Sequence, residues 1–239
     1  MTYVEGFVVA VPAANKQAYL AAAEAFAPLL REFGATRHVE AWGDDVPDGQ
    51  VTDYRRAVKA EDGEVIVFSW IEYPSRAVRD TANERIRSDP RVDEMGACMP
   101  FDARRMIYGG FAKVVDEGGG EGMGYLDGAL LAVPAAAKDA YLGAESRIVQ
   151  ILREHGALRV VEAWEDDAPE GEITDFKGAV KADGAEKVVF SWIEWPSRAA
   201  RDEAWRKVVA DPRMHELNLP YDPRRRVHGG FEPIWDSRL

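Results

Sequence analysis

Four glutamates are the residues of this sequence best suited to chemistry. Glu40 and Glu72 recur 122 positions later as Glu162 and Glu194. Each lies two residues from a tryptophan on an expected strand, so the carboxylate and the indole point to the same face. A carboxylate buried among indole rings has a raised pKa and can act as a general base. We therefore take these four glutamates as candidate catalytic residues.

Aromatic and basic residues near the glutamates are candidates for ligand binding. We expect the tryptophan and glutamate faces of two sheets to enclose a small-molecule cavity in a barrel interior. The alternative is that the rings fill the core and the glutamates pair with Arg37 and Arg105. The candidate ligand-binding residues are His38, Trp42, Trp70, Tyr108, Trp164, Trp192, Arg226 and His228.

Other reactive residue types are less suited to chemistry shared by both halves of the chain. None of the four histidines is duplicated, so such chemistry cannot depend on histidine. Cys98 lies in a segment without a counterpart, which indicates an ordinary loop thiol. The acidic run that starts at Asp44 lacks EF-hand spacing because its third position is Val46, and we expect a solvated loop. The sequence therefore predicts no metal site and no cofactor.

Composition restricts the class of partner. The 239 residues include 42 acidic and 30 basic side chains, and the net charge of −12 repels phosphate backbones and anionic lipids. No apolar run approaches the length of a membrane span. We expect a cytoplasmic protein with a small-molecule ligand and with neither a nucleic-acid nor a membrane partner.

An internal repeat dominates the organisation of the chain. Tyr3 aligns with Tyr125 at an offset of 122 residues. The second repeat lacks two residues near Cys98, after which the match continues at an offset of 120 and runs to Asp236. About half of the aligned pairs are identical. We predict a first repeat at 1–117, a glycine-rich linker at 118–124 and a second repeat at 125–239. The linker spans about 25 Å at most, so the repeats must lie close together.

Within one repeat the hydrophobic periodicity predicts the order β-α-β-(β)-β-α-β. The extra short strand is expected at Tyr54 to Ala60. Gly34 is the expected left-handed cap of the first helix, Ser75 the expected N-cap of the second, and Asp89-Pro90 its expected stop. The sequence thus predicts an α+β protein in which two ferredoxin-like repeats form an intramolecular dimeric α+β barrel.

Four segments resemble a known family. Gly6–Pro12, Glu40–Gly49, Val67–Arg76 and Gly109–Phe111 are similar to the YbaA-like family, a bacterial domain of unknown function. The resemblance covers nearly the whole of each repeat and implies a fold of the dimeric α+β barrel type. Family members usually carry one such domain, whereas this chain carries two. The resemblance implies no activity.

Two hypotheses about function follow. In the first, the barrel interior binds or transforms a small, mostly apolar molecule, as a cofactor-free monooxygenase or an isomerase would. In the second, the protein is a non-catalytic ligand sensor, or a scaffold whose barrel is filled by its own side chains. An interior cavity on the order of 300 Å³ favours the first hypothesis, and a closed core favours the second.

Overall fold

The computed structural model describes residues 2–96, 99–119 and 122–239. Its described residues form eight antiparallel strands that close into a barrel, with the long helices packed on the outside. The strands are β1 (Tyr3–Pro12), β2 (Arg37–Asp45), β3 (Glu64–Tyr73), β4 (Ile107–Gly118), β5 (Tyr125–Pro134), β6 (Arg159–Asp167), β7 (Glu186–Trp195) and β8 (Val227–Arg238). The helices are α1 (Lys16–Glu32), α2 (Tyr54–Ala57), α3 (Arg76–Ser88), α4 (Pro90–Gly96), α5 (Lys138–Glu154), α6 (Phe176–Ala179), α7 (Arg198–Ala210) and α8 (Pro212–His215).

The two repeats share one sheet. Around the barrel the strands follow the order β1-β3-β2-β8-β5-β7-β6-β4, and β4 pairs with β1 to close the circle. Strands of different repeats meet at two seams, where β2 pairs with β8 and β4 pairs with β6. Each set of four strands would otherwise have two open edges, and the seams satisfy the hydrogen bonds of all four.

The acidic loops that follow β2 and β6 also join the repeats. Asp44 accepts hydrogen bonds from the Tyr125 hydroxyl at 2.9 Å and from Arg198 at 2.6 Å. At the pseudo-symmetric position, Asp166 accepts one from the Tyr3 hydroxyl at 3.0 Å. The expectation of a merely solvated loop is therefore wrong for Asp44.

Aromatic rings fill the middle of the barrel. Phe68 stacks on Phe190, and Trp70 stacks on Trp192, each with ring centroids 4.4 Å apart. All four rings are fully buried. A Cβ atom at Gly6 would lie 2.7 Å from the Phe190 ring, so glycine is required where that ring meets β1. The rings contact one another, as the self-filled alternative expects, instead of lining open space.

The structure corrects the predicted orientation of β2 and β6. In the register of the sheet, Val39 lies opposite Trp70, and Ala41 lies opposite Phe68, so the small residues share the interior with the large rings. The side chains that alternate with them, predicted to face inward, lie on the outer face under α1 and α5. They are His38, Glu40 and Trp42 of β2 and Glu162 and Trp164 of β6.

The short strand predicted from Tyr54 to Ala60 is instead the helix α2. Asp53 caps it by accepting a hydrogen bond from the backbone N–H of Arg56 at 2.8 Å, and this cap favours a helical turn over an extended segment. Tyr54 is fully buried, with its ring 5.4 Å from that of Phe231. Helix α2 and its counterpart α6 thus add their aromatic side chains to the barrel core.

Several local signals are confirmed. Gly34 has φ +97° after α1, and the Ser75 hydroxyl accepts a hydrogen bond from the N–H of Val78 at the start of α3. That helix ends at Ser88, before Asp89-Pro90. Across residues 2–96, 99–119 and 122–239, no helix has the length and apolar character needed to span a membrane.

The stacked rings predict the result of a cavity-forming substitution. Trp70→Ala should lower the free energy of unfolding by about 3 to 5 kcal/mol, because it removes a fully buried ring from its partner Trp192. Urea denaturation followed by circular dichroism measures this change. Trp205→Ala, at a half-buried position on α7, is the matched control and should cost clearly less. Equal losses in the two variants would contradict a packed interior at Trp70.

Candidate functional site

Four alternating charges occupy one end of the barrel interior. Arg37 donates to Glu194 at 2.6 Å, and Arg159 donates to Glu72 at 2.8 Å, so both pairs cross between the repeats. The other two sides, from Arg37 to Glu72 and from Arg159 to Glu194 within each repeat, are 3.6 Å and 3.4 Å long. We call Arg37, Glu72, Arg159 and Glu194 the charge square. It closes this end of the barrel over the stacked tryptophans, whose indole N–H groups donate to its carboxylates.

The charge square does not provide a general base at Glu72. Burial opposes ionisation there, but hydrogen bonds and positive charge from Arg159 and Lys113 lower the pKa of Glu72 to about 2. The expectation of a raised pKa is therefore wrong for Glu72, because its carboxylate forms ion pairs with Arg159 and Lys113. Lys113 also pairs with Asp116 at 2.9 Å, and the second repeat has Pro233 in place of this lysine.

On the outer face of the first repeat, Glu40 is enclosed beneath α1. It accepts a hydrogen bond from the Tyr19 hydroxyl at 2.6 Å, and its second oxygen lies 2.7 Å from Nε2 of His38. The other ring nitrogen of His38 is buried without a partner among the described residues. Trp42 lies nearby, with the Lys16 ammonium 5.1 Å from its ring centre.

The second repeat keeps the tyrosine–glutamate hydrogen bond, has Val160 in place of His38, and adds a second acid. Glu162 accepts hydrogen bonds from the hydroxyls of Tyr141 and Ser191, each at 2.7 Å. Glu145, on the inner side of α5, is only 5% exposed, and Glu162 is 4% exposed. We call Glu145 and Glu162 the acid pair.

Burial favours the protonated form of the acid pair. Burial raises the pKa of Glu162 to about 7, although Tyr141, Ser191 and the positive charge of Arg226 act against the shift. Burial and the adjacent charge of Glu162 raise the pKa of Glu145 well above its ordinary value. Two carboxyl groups that share a low-dielectric site cannot both ionise without cost, which favours retention of one proton by the pair.

Sequence reasoning missed Glu145. Its counterpart in the first repeat is Ala23, which is a normal residue on the buried side of α1. The available signal was its spacing, because Glu145 lies four residues after the buried Tyr141 on the same helical stripe. Phe7 of the first repeat corresponds to Ala129. At these two positions the second repeat therefore has one aromatic ring fewer and one carboxyl group more than the first.

A cleft of about 710 Å³ opens on the outer surface of the second repeat. Burial and the positive charge of Arg226 lower the pKa of the lining residue His228. Arg226 also lines the cleft, and its positive charge acts on the acid pair as well. The lining residues are Asp127, Arg201, Asp202, Trp205, Arg206, Val209, Arg226 and His228.

The predicted site residues thus fall into three groups instead of one. Glu72, Glu194, Trp70 and Trp192 lie inside the barrel. The first outer group, beneath α1, is formed by His38, Glu40 and Trp42. The second, on the second repeat, is formed by Glu162, Trp164, Arg226 and His228. Tyr108, of the first repeat, is 47% exposed. Within the described ranges no cluster of three or more His, Cys, Asp or Glu side chains could hold a metal ion. Cys98 lies outside those ranges.

Known proteins match this chain at the level of family and fold. The family described as "Protein of unknown function (DUF1428)" matches residues 2–103 and 124–223, once in each repeat, which confirms the tandem duplication. The "Uncharacterized protein YbaA" of Escherichia coli K12 is 63% identical over 117 residues, which make up 49% of this chain and 100% of that protein.

Two solved structures share the fold across both repeats. A "Putative monooxygenase" from Fusobacterium nucleatum has a TM-score of 0.63 at 8% identity, covering 99% of this chain and 94% of its own. A "putative monooxygenase" from Lactobacillus acidophilus has a TM-score of 0.61 at 9% identity, covering 99% and 96%. At these identities the likeness shows an α+β fold built on an eight-stranded antiparallel barrel.

The raised pKa of Glu162 predicts a specific pH dependence of stability. Between the unfolded pKa, about 4.3, and the folded pKa, about 7, the folded state binds more protons than the unfolded state. The stability of the wild type relative to Glu162→Gln should therefore fall as pH rises from 5 to 8, by roughly 1 to 3 kcal/mol. Urea unfolding of both proteins at several pH values measures this difference.

Glu72→Gln is the matched control. The lowered pKa of Glu72 means that it is ionised in the folded and the unfolded state across this pH range, so its effect should be constant there. Its stabilising contribution is lost only as pH falls through about 4.5 towards 2. A Glu162 difference that is flat between pH 5 and 8 would contradict the proton held by the acid pair.

Proposed function

The chain belongs to the DUF1428 family, and we propose that it binds a small, mostly apolar molecule at the cleft of the second repeat and moves a proton on it through Glu162. The observation that carries this proposal is the acid pair. A general base works best when its pKa is close to the working pH, and burial raises the pKa of Glu162 to about 7. The raised pKa of Glu145 favours its neutral form, which leaves Glu162 as the carboxylate that takes up the proton.

The site is on the helix-covered face and not in the barrel interior. Stacked phenylalanine and tryptophan rings occupy the interior, and the charge square closes one end. A ligand there would have to displace rings such as Trp70 and separate ion pairs at the same time. The outer cleft already has the volume of a small-molecule site.

The proposed step is a reversible proton transfer from a carbon acid. The Glu162 carboxylate takes a proton from a carbon next to a carbonyl group. The C–H electron pair forms a C=C bond, and the π pair of the carbonyl moves onto its oxygen to give an enolate. Return of the proton to the same or another carbon restores a neutral ketone, so no oxidant is consumed. Arg226 lines the cleft, and its charge also acts on Glu145 and Glu162.

The two fold neighbours named as monooxygenases support this assignment only through the shared barrel. Each of them covers both repeats with a single chain. We propose that the two repeats form an intramolecular pseudo-dimer, which arose when the duplicated domains were joined. Duplication then allowed the second repeat to acquire Glu145 and Arg226 while the first kept Ala23 and Met106.

A non-catalytic scaffold is the second candidate. The closed core favours it, because the fully buried rings of Phe68 and Phe190 stack at 4.4 Å where an interior site would need space. A scaffold has no need of a buried acid pair with raised pKa values, and this difference separates the two candidates.

Deuterium exchange into 2-indanone, a small bicyclic ketone, tests the proposal. In D2O at neutral pH the wild-type protein should speed the loss of the α-proton signals in NMR spectra above the buffer rate. Glu162→Gln should reduce the added rate about 100-fold or more, because the amide cannot accept the proton. Glu5→Gln removes another buried glutamate whose pKa burial raises; Glu5 lies on β1 of the first repeat and does not line the cleft, so the rate should be unchanged. A wild type no faster than buffer would contradict the proposal and favour the scaffold.

A further inference from the structure

We propose that Ala129 sets the size of the ligand that reaches Glu162, and that Phe7 closes the corresponding place in the first repeat. This inference rests on the proposed function for the place of the site, and it adds a residue that determines specificity. The small side chain of Ala129 leaves room for a ring of the ligand between the cleft and Glu162. One chain then binds one ligand, at the second repeat.

A row of side chains crosses the outer face of the second repeat from the cleft to Glu162. His228 of β8 lies opposite Ala129 of β5. Ala129 and Glu162 both lie opposite Ser191 of β7, one on each side of it. Side chains at opposite positions of antiparallel strands share a face, with Cβ atoms about 5 Å apart. Because His228 lines the cleft and Ser191 donates to Glu162 at 2.7 Å, Ala129 lies between the cleft and that hydrogen bond.

The helices that cover this face place Ala129 between them. Two residues before it on β5, Asp127 accepts a hydrogen bond from Trp205 of α7 at 2.7 Å. Two residues after it, Leu131 packs in a cluster with Tyr141 of α5. The two helices contact each other, so Ala129 lies beneath the line along which they meet. Bulk added at Ala129, which is only 4% exposed, therefore has to project into the space under this line.

The same row of the first repeat carries an aromatic ring at this point. Phe7 lies opposite Tyr108 on one side and Ser69 on the other, and Ser69 lies opposite Glu40. The Phe7 ring packs against a buried cluster that includes Leu30 of α1. The ring thus occupies the place beside Glu40 that a ligand would need.

The cleft of about 710 Å³ opens on the repeat that lacks this phenylalanine. His228, across the sheet from Ala129, and Asp127, two residues along β5, both line it. Its wall includes Val209, which is 63% exposed, and Trp205, whose indole N–H is already bonded to Asp127, so both offer apolar surface to a ring. The position of the cleft and the loss of the ring at Ala129 therefore point to the same place.

Titration calorimetry with two ketones of different size tests the inference. The wild type should bind one molecule of 2-indanone per chain. Ala129→Leu should weaken this binding at least 10-fold, because the added side chain takes the place of a ring. Cyclopentanone lacks the second ring and should lose no more than about 3-fold. Ala129→Val adds less bulk and should give a smaller loss for 2-indanone in the same direction.

Ala23→Leu is the matched control. It adds the same bulk at a buried alanine of α1 in the first repeat, which does not line the cleft, and 2-indanone binding should stay within about 3-fold. Circular dichroism of each variant verifies that the fold is intact.

The outcomes separate this inference from the function on which it rests. Unchanged 2-indanone binding in both Ala129 variants, equal losses for the two ketones, two molecules bound per chain, or no binding at millimolar concentration would each overturn it. If deuterium exchange into 2-indanone still depends on Glu162 in that case, the proton-transfer proposal stands and only the role of Ala129 is wrong. Binding that depends on Ala129 without any exchange above the buffer rate would instead contradict the proton transfer and support the inferred site.

Discussion

Closure of one barrel by strands of both repeats is the constraint on which the rest of the structure depends. Four strands from one repeat would leave two open edges and an aromatic inner face in water, whereas the β2–β8 and β4–β6 seams satisfy the edges and bury the rings. The charge square also needs both repeats, because Arg37 pairs with Glu194 and Arg159 pairs with Glu72, in each case across the boundary between the repeats. Removal of one partner would leave a buried charge uncompensated, so the square favours one arrangement of the two repeats.

Closure of the barrel places buried glutamates in two different environments, which shift their pKa values in opposite directions. Inside the barrel, arginine from the opposite repeat lowers the pKa of Glu72 to about 2 and makes its charge structural. Under α5, Glu162 has hydroxyl partners and a second carboxyl group in place of a direct cation, and burial raises its pKa to about 7. Pairing of β8 with β2 fixes the strand that Arg226 precedes, so closure of the barrel also positions the proposed binding site.

The sequence was sufficient to predict the repeat, the α+β barrel class and local signals such as Ser75 and Gly34. It could not orient β2, because every residue from Arg37 to Trp42 is buried and alternation of type therefore carries no information about the face. Only the pairing of Val39 with Trp70 settles that question. Glu145 was not predicted for a related reason, since its raised pKa depends on a tertiary neighbour, Glu162, that helical periodicity alone does not reveal.

Cleavage of the linker tests the central claim most directly. A protease site inserted at 118–124 and cut in the folded protein leaves the seams as the only connection between the repeats. At micromolar concentration, sedimentation velocity should show one species with the mass of the intact chain, because both seams and the charge square remain. Two separate folded species of half that mass would contradict a barrel that requires both repeats.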